Sequence, residues 1–413
     1  MLACAGEQVK LEVDAKIDQA AQALQSLPPL ARALIGREQL IMGRVRGREI
    51  GPRENRLMRL LSWSGQLGIL LISLLLLLRR VWAQRHVPAS LPLPQALFIG
   101  IDALYENDLR QDLRARLGHD HVFVDQRQME HFALTGRLRL SSALKEWARL
   151  VPQALKCSRD MAEEYDTLEL RASLTMRLPD LAHLLSQFRA LHAAEKEIFI
   201  ACSTAELPAH AACVVGFSVE YHQHGFLARS LVFPEFAAMN ALTKVEGEHV
   251  ASRVPGLRVH CQSVDIQQGS RKRVLAIASI YGKFDIIPVI ALVRLALDQK
   301  YQVVIRPHPR GEDAVWRDLR EMDGVVIDAD GDFDAFLAKW QPAFLATWFS
   351  TTLLDGLLAG AVPVTLSAAR PNLVFPLDQI ALAWPQASTR LERCMIDEVD
   401  RRQTLHEFSE VIL

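Results

Sequence analysis

A chain of 413 residues exceeds what one ordinary hydrophobic core organises and favours two domains of roughly 150 to 200 residues each. Half the residues are hydrophobic and 23% are charged, with 21 glycines and 19 prolines, which excludes disordered, collagen-like and low-complexity classes. The 47 Lys and Arg against 48 Asp and Glu leave a formal charge of −1, so no global field draws the chain to nucleic acid, and no nucleic-acid partner is expected.

Residues 1–59 read as an amphipathic helical extension, broken where Pro28 and Pro29 interrupt the pattern. Residues 60–78 carry no charge, end in a run of five leucines and are followed at once by Arg79 and Arg80. A helix needs about 20 apolar residues to cross the roughly 30 Å hydrocarbon layer, and Ser62, Ser64, Gly65 and Gln66 dilute the first third of this one. Arginines stand on both sides (Arg44, Arg46, Arg48, Arg53, Arg56 and Arg59 before, Arg79, Arg80 and Arg85 after), so the positive-inside rule sets no orientation. Two basic flanks fit a helix held at the cytoplasmic face of the inner membrane, peripheral, monotopic or single-pass, with its arginines on anionic headgroups. A helix buried in the fold would have the same composition. Segment 60–94 is therefore expected as a membrane-associated helix and a linker stiffened by Pro88, Pro92 and Pro94.

Strand-like runs follow at 96–101, 121–125, 197–201 and 214–221, with helical stretches near 141–157 and 179–194, and define a first α/β domain over 95–233. Residues 234–270 read as a connector. A second alternating block fills 271–413: strands at 274–279, 302–306, 324–328, 343–348 and 362–366, helices at 285–298, 333–340 and 351–359. The expected fold is α/β, with two Rossmann-like doubly wound domains behind an N-terminal helical, membrane-associated extension.

In open α/β sheets ligands bind beyond the carboxyl ends of the strands, so polar residues just after a strand carry the most weight. Arg306-Pro307-His308-Pro309-Arg310 follows a strand; prolines fix the backbone around His308, and two arginines flank it, as an anion site requires. A rigid turn is the plainer reading. Ser350-Thr351-Thr352 opens a helix after another strand of the same sheet, and a helix start offers N–H groups and partial positive charge to a phosphate, although Ser or Thr caps many helices for structural reasons alone. Gly282, in the loop after 274–279, permits close backbone approach at that edge. In the first domain, Glu220, His222 and His224 alternate at a strand end before Gly225. A general base, an acceptor contact, a structural turn and an H-x-H metal pair all remain open there, the last without a third ligand at a convincing spacing. Asp328, Asp330, Asp332 and Asp334 do not form an EF-hand loop, because Phe333 and Lys339 stand where it needs Gly and Glu; an acidic turn capping a helix at Phe333 is expected instead. No Walker A or G-x-S-x-G pattern occurs. Cys4, Cys157, Cys202, Cys213, Cys261 and Cys394 lie far apart with no C-x-x-C pair, which fits a reducing compartment.

Gln223-His224-Gly225, then the segment from Arg306 to Arg310, then Ser350-Thr351-Thr352 running into Leu353-Leu354-Asp355-Gly356-Leu357-Leu358-Ala359-Gly360, resemble the series found in bacterial surface-polysaccharide transferases of the GT-B fold. The likeness covers residues 195–370 and lies nearest capsule polysialyltransferases, related sialyl or Kdo transferases, and teichoic-acid (CDP-glycerol) glycerophosphotransferases. It implies an inverting glycosyl or polyol-phosphate transferase using a cytidine-nucleotide donor, a CMP-sugar or CDP-polyol, and a glycan or lipid-linked acceptor, with neither cofactor nor metal. It implies that His308, Ser350 and Thr351 hold the donor phosphate and that His224 is the base. With these, Gly282, Arg306, Arg310 and Thr352 make up the expected donor site, and Glu220 and His222 the acceptor side. The Asp/Glu-Asp/Glu-Gly motif of sialyltransferases of this kind has no counterpart, Glu106-Asn107-Asp108 departing from it. Two other readings use the same residues. One is a non-hydrolysing nucleotide-sugar epimerase, whose Asp-Ser-Gly-Gly loop is missing where Ser350-Thr351-Thr352 stands; the other is a non-catalytic glycan-binding member of a capsule assembly complex.

Overall fold

The structure, a computed structural model, describes residues 2–36, 38–46, 52–100, 107–118, 122–125, 133–165, 167–194, 197–261, 266–267, 269, 271–280, 284–308, 316–348, 350–366, 372–375 and 377–412. They form two units: Met1–His224, Ala228–Ala241 and Glu246–His260 in one, Gly225–Leu227, Leu242–Val245 and Cys261–Leu413 in the other.

The first unit begins with helices α1 (Leu2–Gln25), α2 (Pro29–Ile35), α3 (Glu38–Arg46) and α4 (Pro52–Ala83). The break between α1 and α2 falls at the expected proline pair. These helices are bound into the unit by polar as well as apolar contacts. Gln25 and the Phe233 backbone exchange two hydrogen bonds of 3.0 and 2.8 Å, Arg32 donates to the Phe233 carbonyl at 3.1 Å, and Asp18 accepts from Arg229 and Arg253 at 2.8 and 2.9 Å. Then follow β1 (Ala96–Gly100), α5 (Asn107–Leu117), β2 (Val122–Asp125), α6 (Leu140–Asp160), α7 (Thr167–His192), β3 (Phe199–Cys202), α8 (Leu207–Val215) and β4 (Val219–His222). Last come β5 (Ala238–Ala241), α9 (Lys244–Arg253) and β6 (Arg258–Cys261), so the expected connector instead supplies the two outer strands of the first sheet. Its strands have four residues each with polar positions among them, too short to register as apolar runs. The sheet order is β2-β1-β3-β4-β5-β6, parallel from β2 through β5. The strand expected over 214–221 is divided: Val214 and Val215 end α8, the left-handed Gly216 turns the chain, and the strand starts at Val219. Helix α7 runs straight through Pro179, where the sequence pattern places a start.

The second unit holds β7 (Lys272–Ala278), α10 (Ile287–Asp298), β8 (Gln302–Arg306), α11 (Arg317–Arg320), β9 (Val325–Ile327), α12 (Phe333–Trp340), β10 (Pro342–Thr347), α13 (Thr352–Leu358), β11 (Val362–Thr365), β12 (Leu382–Ala383), α14 (Ser388–Ile396) and α15 (Glu398–Ile412). All pairings are parallel in the order β9-β8-β7-β10-β11-β12. Its core shows why the strands read as continuous apolar runs. Leu275, Ile277, Val303 and Ile305 pack on one face against Val289, Leu292, Val293 and Ala296 of α10, which recur at helical spacing. Val274, Ala276, Ala278 and Val304 pack on the other face against Phe336 and Leu337 of α12. Side chains alternate between faces and both faces are covered, so every position is apolar.

Candidate functional site

In the second sheet the chain runs outward from β7 through β8 to β9 and then returns to β10 on the other side of β7. The strand order reverses between β7 and β10, and the crevice beyond the carboxyl ends at such a reversal is where open α/β sheets take ligands. Four of the expected donor residues, His308, Ser350, Thr351 and Thr352, fall there. His308 follows β8, and Ser350 and Thr351 lie between β10 and α13, which begins at Thr352. Adjacent strands lie about 4.8 Å apart, so β8 and β10 bring these segments to roughly 10 Å of one another across β7. Ser279, directly after β7, fastens the near side: its hydroxyl accepts the His308 backbone N–H at 2.5 Å, and its own N–H donates to the Arg306 carbonyl at 2.9 Å. Sequence reasoning passed over Ser279; its signal was its place, first after the central strand.

His308 is half-buried, and that burial holds its imidazole below the ordinary histidine value, favouring the neutral ring. The Ser350 hydroxyl accepts the Thr352 N–H at 3.3 Å, but the cap position expected for Ser350 falls on Thr351, whose side chain makes no cap bond, while the Thr352 and Thr347 hydroxyls are buried with no hydrogen-bond partner among the described residues. Phe284, against Trp316 and Trp348 at centroid distances of 5.4 and 4.3 Å, adds an aromatic wall near the same edge. Arg306, expected as a donor contact, instead spends its guanidinium on backbone carbonyls. It donates to Asp330 at 2.6 Å and to Gly331, and so holds the turn after β9. That turn is the expected cap: Asp332 accepts the Ala335 N–H at 2.7 Å, while Asp328 accepts from Lys339 and Trp340 at 2.7 and 2.6 Å. The hydrogen bond from Lys339 leads in holding the Asp328 carboxyl down at about 2. Gly282 and Arg310 lie outside the described residues.

Asp355, in the first turn of α13, is a second group the sequence did not single out. Burial, reinforced by the charge of Asp334, pushes its carboxyl up to about 7. A carboxyl that is half protonated at neutral pH, one turn from Ser350, can donate or accept a proton at the site's edge.

In the first unit the order reverses between β1 and β3. His224 lies past the end of β4 and is exposed; its Nδ1 is 3.0 Å from the carbonyl of Ser203, which follows β3. A carbonyl only accepts, so Nδ1 carries the proton, and in the neutral ring Nε2 is then the nitrogen with the free lone pair. That is the tautomer a general base needs. Glu220 and His222 share a face of β4 as expected, yet they are committed to each other. His222 Nε2 is 2.9 Å from Glu220, Arg116 clasps the same carboxylate at 2.8 and 3.1 Å, and Asn240 of β5 donates to it at 2.7 Å. Burial alone would raise the Glu220 carboxyl; the hydrogen bonds from His222 and Arg116 outweigh it and hold the group well below the usual range. The expected acceptor-side pair is thus an internal polar cluster that leaves neither side chain more than slightly exposed.

No family model matches the chain, and no curated protein matches it. Among solved structures, the chain is similar to the UDP complex of MnaA from S. aureus at 12% identity, covering 76% of this chain and 90% of that one with a TM-score of 0.45. It is similar to the glycosyltransferase SnogD from Streptomyces nogalater at 14% identity, 78% and 96% coverage and a TM-score of 0.44. The UDP-N-acetylglucosamine 2-epimerase from Rickettsia bellii gives 12% identity, 78% and 93% coverage and a TM-score of 0.44.

Proposed function

We propose that the protein is an inverting GT-B transferase of bacterial surface-polysaccharide synthesis that moves a sugar or polyol phosphate from a cytidine nucleotide to a glycan or lipid-linked acceptor at the cytoplasmic face of the inner membrane. The observation that carries this reading is the placement of His308 and the Ser350-Thr351-Thr352 segment after β8 and β10, on either side of β7, at the reversal of strand order. There His308 hydrogen-bonds a donor phosphate or takes up a proton beside it, and the hydroxyls of Ser350 and Thr351 supply further donors. For a CMP-sugar, the acceptor oxygen forms its bond to the anomeric carbon as the bond from that carbon to the phosphate oxygen breaks. For a CDP-polyol, the acceptor oxygen forms its bond to the transferred phosphorus and the bond to the departing CMP breaks. In both, the acceptor proton goes to Nε2 of His224 and the electron pair leaves with the nucleotide. Arg306 serves this site by fixing the turn after β9.

The test is nucleotide release from CMP-sialic acid, CMP-Kdo, CDP-glycerol and CDP-ribitol, with UDP-N-acetylglucosamine alongside. One cytidine donor should turn over, and His308→Ala should lower its release by about 10² to 10³. His224→Ala should slow transfer by about 10² to 10⁴ with donor binding kept. No release from any cytidine donor, or release from the uridine nucleotide alone, refutes the donor assignment; equal loss of donor binding in His224→Ala refutes its role as base.

A further inference from the structure

Helix α4 carries two stripes that face opposite ways. Ile69, Ser73 and Leu77, with Gln84 just past the helix end, are buried within the first unit, whereas Leu67, Leu71, Leu75, Leu78 and Trp82 are exposed, three of the leucines and the tryptophan by more than 60%. Within the helix both sets advance by three or four residues at a time, which keeps each on one side of it. The inner stripe is tied down by polar bonds. Ser73 accepts from Trp147 at 3.0 Å, Arg80 pairs with Asp180, and Gln84 lies 3.1 Å from His183 and accepts the Leu138 N–H at 2.9 Å. An exposed ridge of this length on a docked helix is unusual for a surface that meets only water.

We infer that this ridge lies in the surface of an anionic phospholipid bilayer, with the leucines in the acyl boundary and Trp82 at headgroup level, and that α4 does not cross the bilayer. The segment Gly65–His86 is long and apolar enough to cross by length and composition. However, Gly65 has φ 54° and ψ −137°, a break that ends the helix on that side. From Gln66 to Leu78 the uncharged stretch covers about 20 Å at 1.5 Å per residue, short of the roughly 30 Å hydrocarbon layer. Crossing would also draw the packed neighbour α6, with Lys145, Arg149, Lys156 and Arg159, into hydrocarbon.

Charge selects lipid over a second copy of the chain. Between Gln66 and His86 there is no Asp or Glu; Arg80 is spent on Asp180, and the basic residues Arg79, Arg85 and His86 are exposed at the Trp82 end. Arg85 stacks over the Trp82 ring at 4.2 Å, a cation held against an interfacial aromatic. Two such ridges facing one another would bring like charges together, whereas anionic headgroups neutralise them. The inference deepens the membrane location proposed above and is independent of the transfer chemistry.

Flotation of the purified full chain with phosphatidylcholine vesicles, with and without 30 mol% phosphatidylglycerol, tests it. The chain should bind the anionic vesicles when added from outside, exchange onto fresh ones, and prefer them over neutral vesicles. Leu71→Gln with Leu75→Gln should lower partitioning at least about tenfold, and Arg79→Gln should lower it about fivefold on anionic vesicles alone. Unchanged melting and nucleotide release in these variants separate loss of the ridge from loss of fold or catalysis. Vesicle binding without nucleotide release would leave the inference standing while the transferase reading fails. Equal binding by the leucine variant, no binding by the native chain, integration that does not exchange, or a ridge-dependent dimer without vesicle binding would each overturn it.

Discussion

Two titratable side chains at the carboxyl end of the second sheet differ from their ordinary values through burial, in opposite senses. His308 loses its proton more easily, and Asp355 holds one more tightly. The Asp355 carboxyl, at about 7 when folded against 3.8 for the unperturbed group, ionises first in the unfolded chain as pH rises. Stability is therefore lost between about pH 4 and pH 7, and the deficit persists above. Asp355→Asn removes it: urea melts should show near-equal stability at pH 4 and a gain on the order of 4 kcal/mol for the variant at pH 8. A variant no more stable at pH 8 would show that the native carboxylate is satisfied when charged. His308 was legible because prolines beside a strand-end histidine mark a fixed backbone. Asp355 was not, since nothing in the sequence separates a buried acid of the first helical turn from an exposed one.

Among the elements, α13 shows how closely the candidate site is built onto its sheet. A Cβ on Gly356 would fall 2.4 Å from Leu345 Cδ2 and 2.9 Å from its Cβ, so the helix lies against β10 where no side chain fits. Gly356→Ala should cost about 1–3 kcal/mol in chemical denaturation, and a neutral result would mean that Leu345 swings clear. From β7 to β11 the strands and the helices α10, α12 and α13 were legible to within a residue or two, because a sheet covered on both faces writes itself as apolar runs separated by amphipathic helices, whereas α11, β12, α14 and α15 went unread. The first unit was less so. β5 and β6 have few apolar positions, α8 ends in valines that suit a strand, and α7 keeps its helix through Pro179 by packing on its neighbours. The two faces of α4 were not legible, since five consecutive leucines hide a stripe that only the packing of Ser73 and Leu77 reveals.

At the scale of the molecule, each unit has its own sheet and its own core. A nucleotide that binds beyond β7, β8 and β10 contributes its binding energy to the second unit, about 2.7 kcal/mol at a hundredfold excess over its Kd. Calorimetry with CDP should raise one component of the unfolding trace and leave the other in place; a uniform shift of the whole trace would show that the chain melts as one block. The second unit also includes Gly225–Leu227 and Leu242–Val245, both upstream of its continuous stretch from Cys261. The Leu227 carbonyl accepts the Val374 N–H at 2.8 Å, and Phe226 stacks on Phe375 at 5.7 Å. A gene fragment opening at residue 261 would therefore encode the sheet while omitting an edge of its own packing. Deletion mapping or fragment complementation on this protein has to carry that tripeptide along.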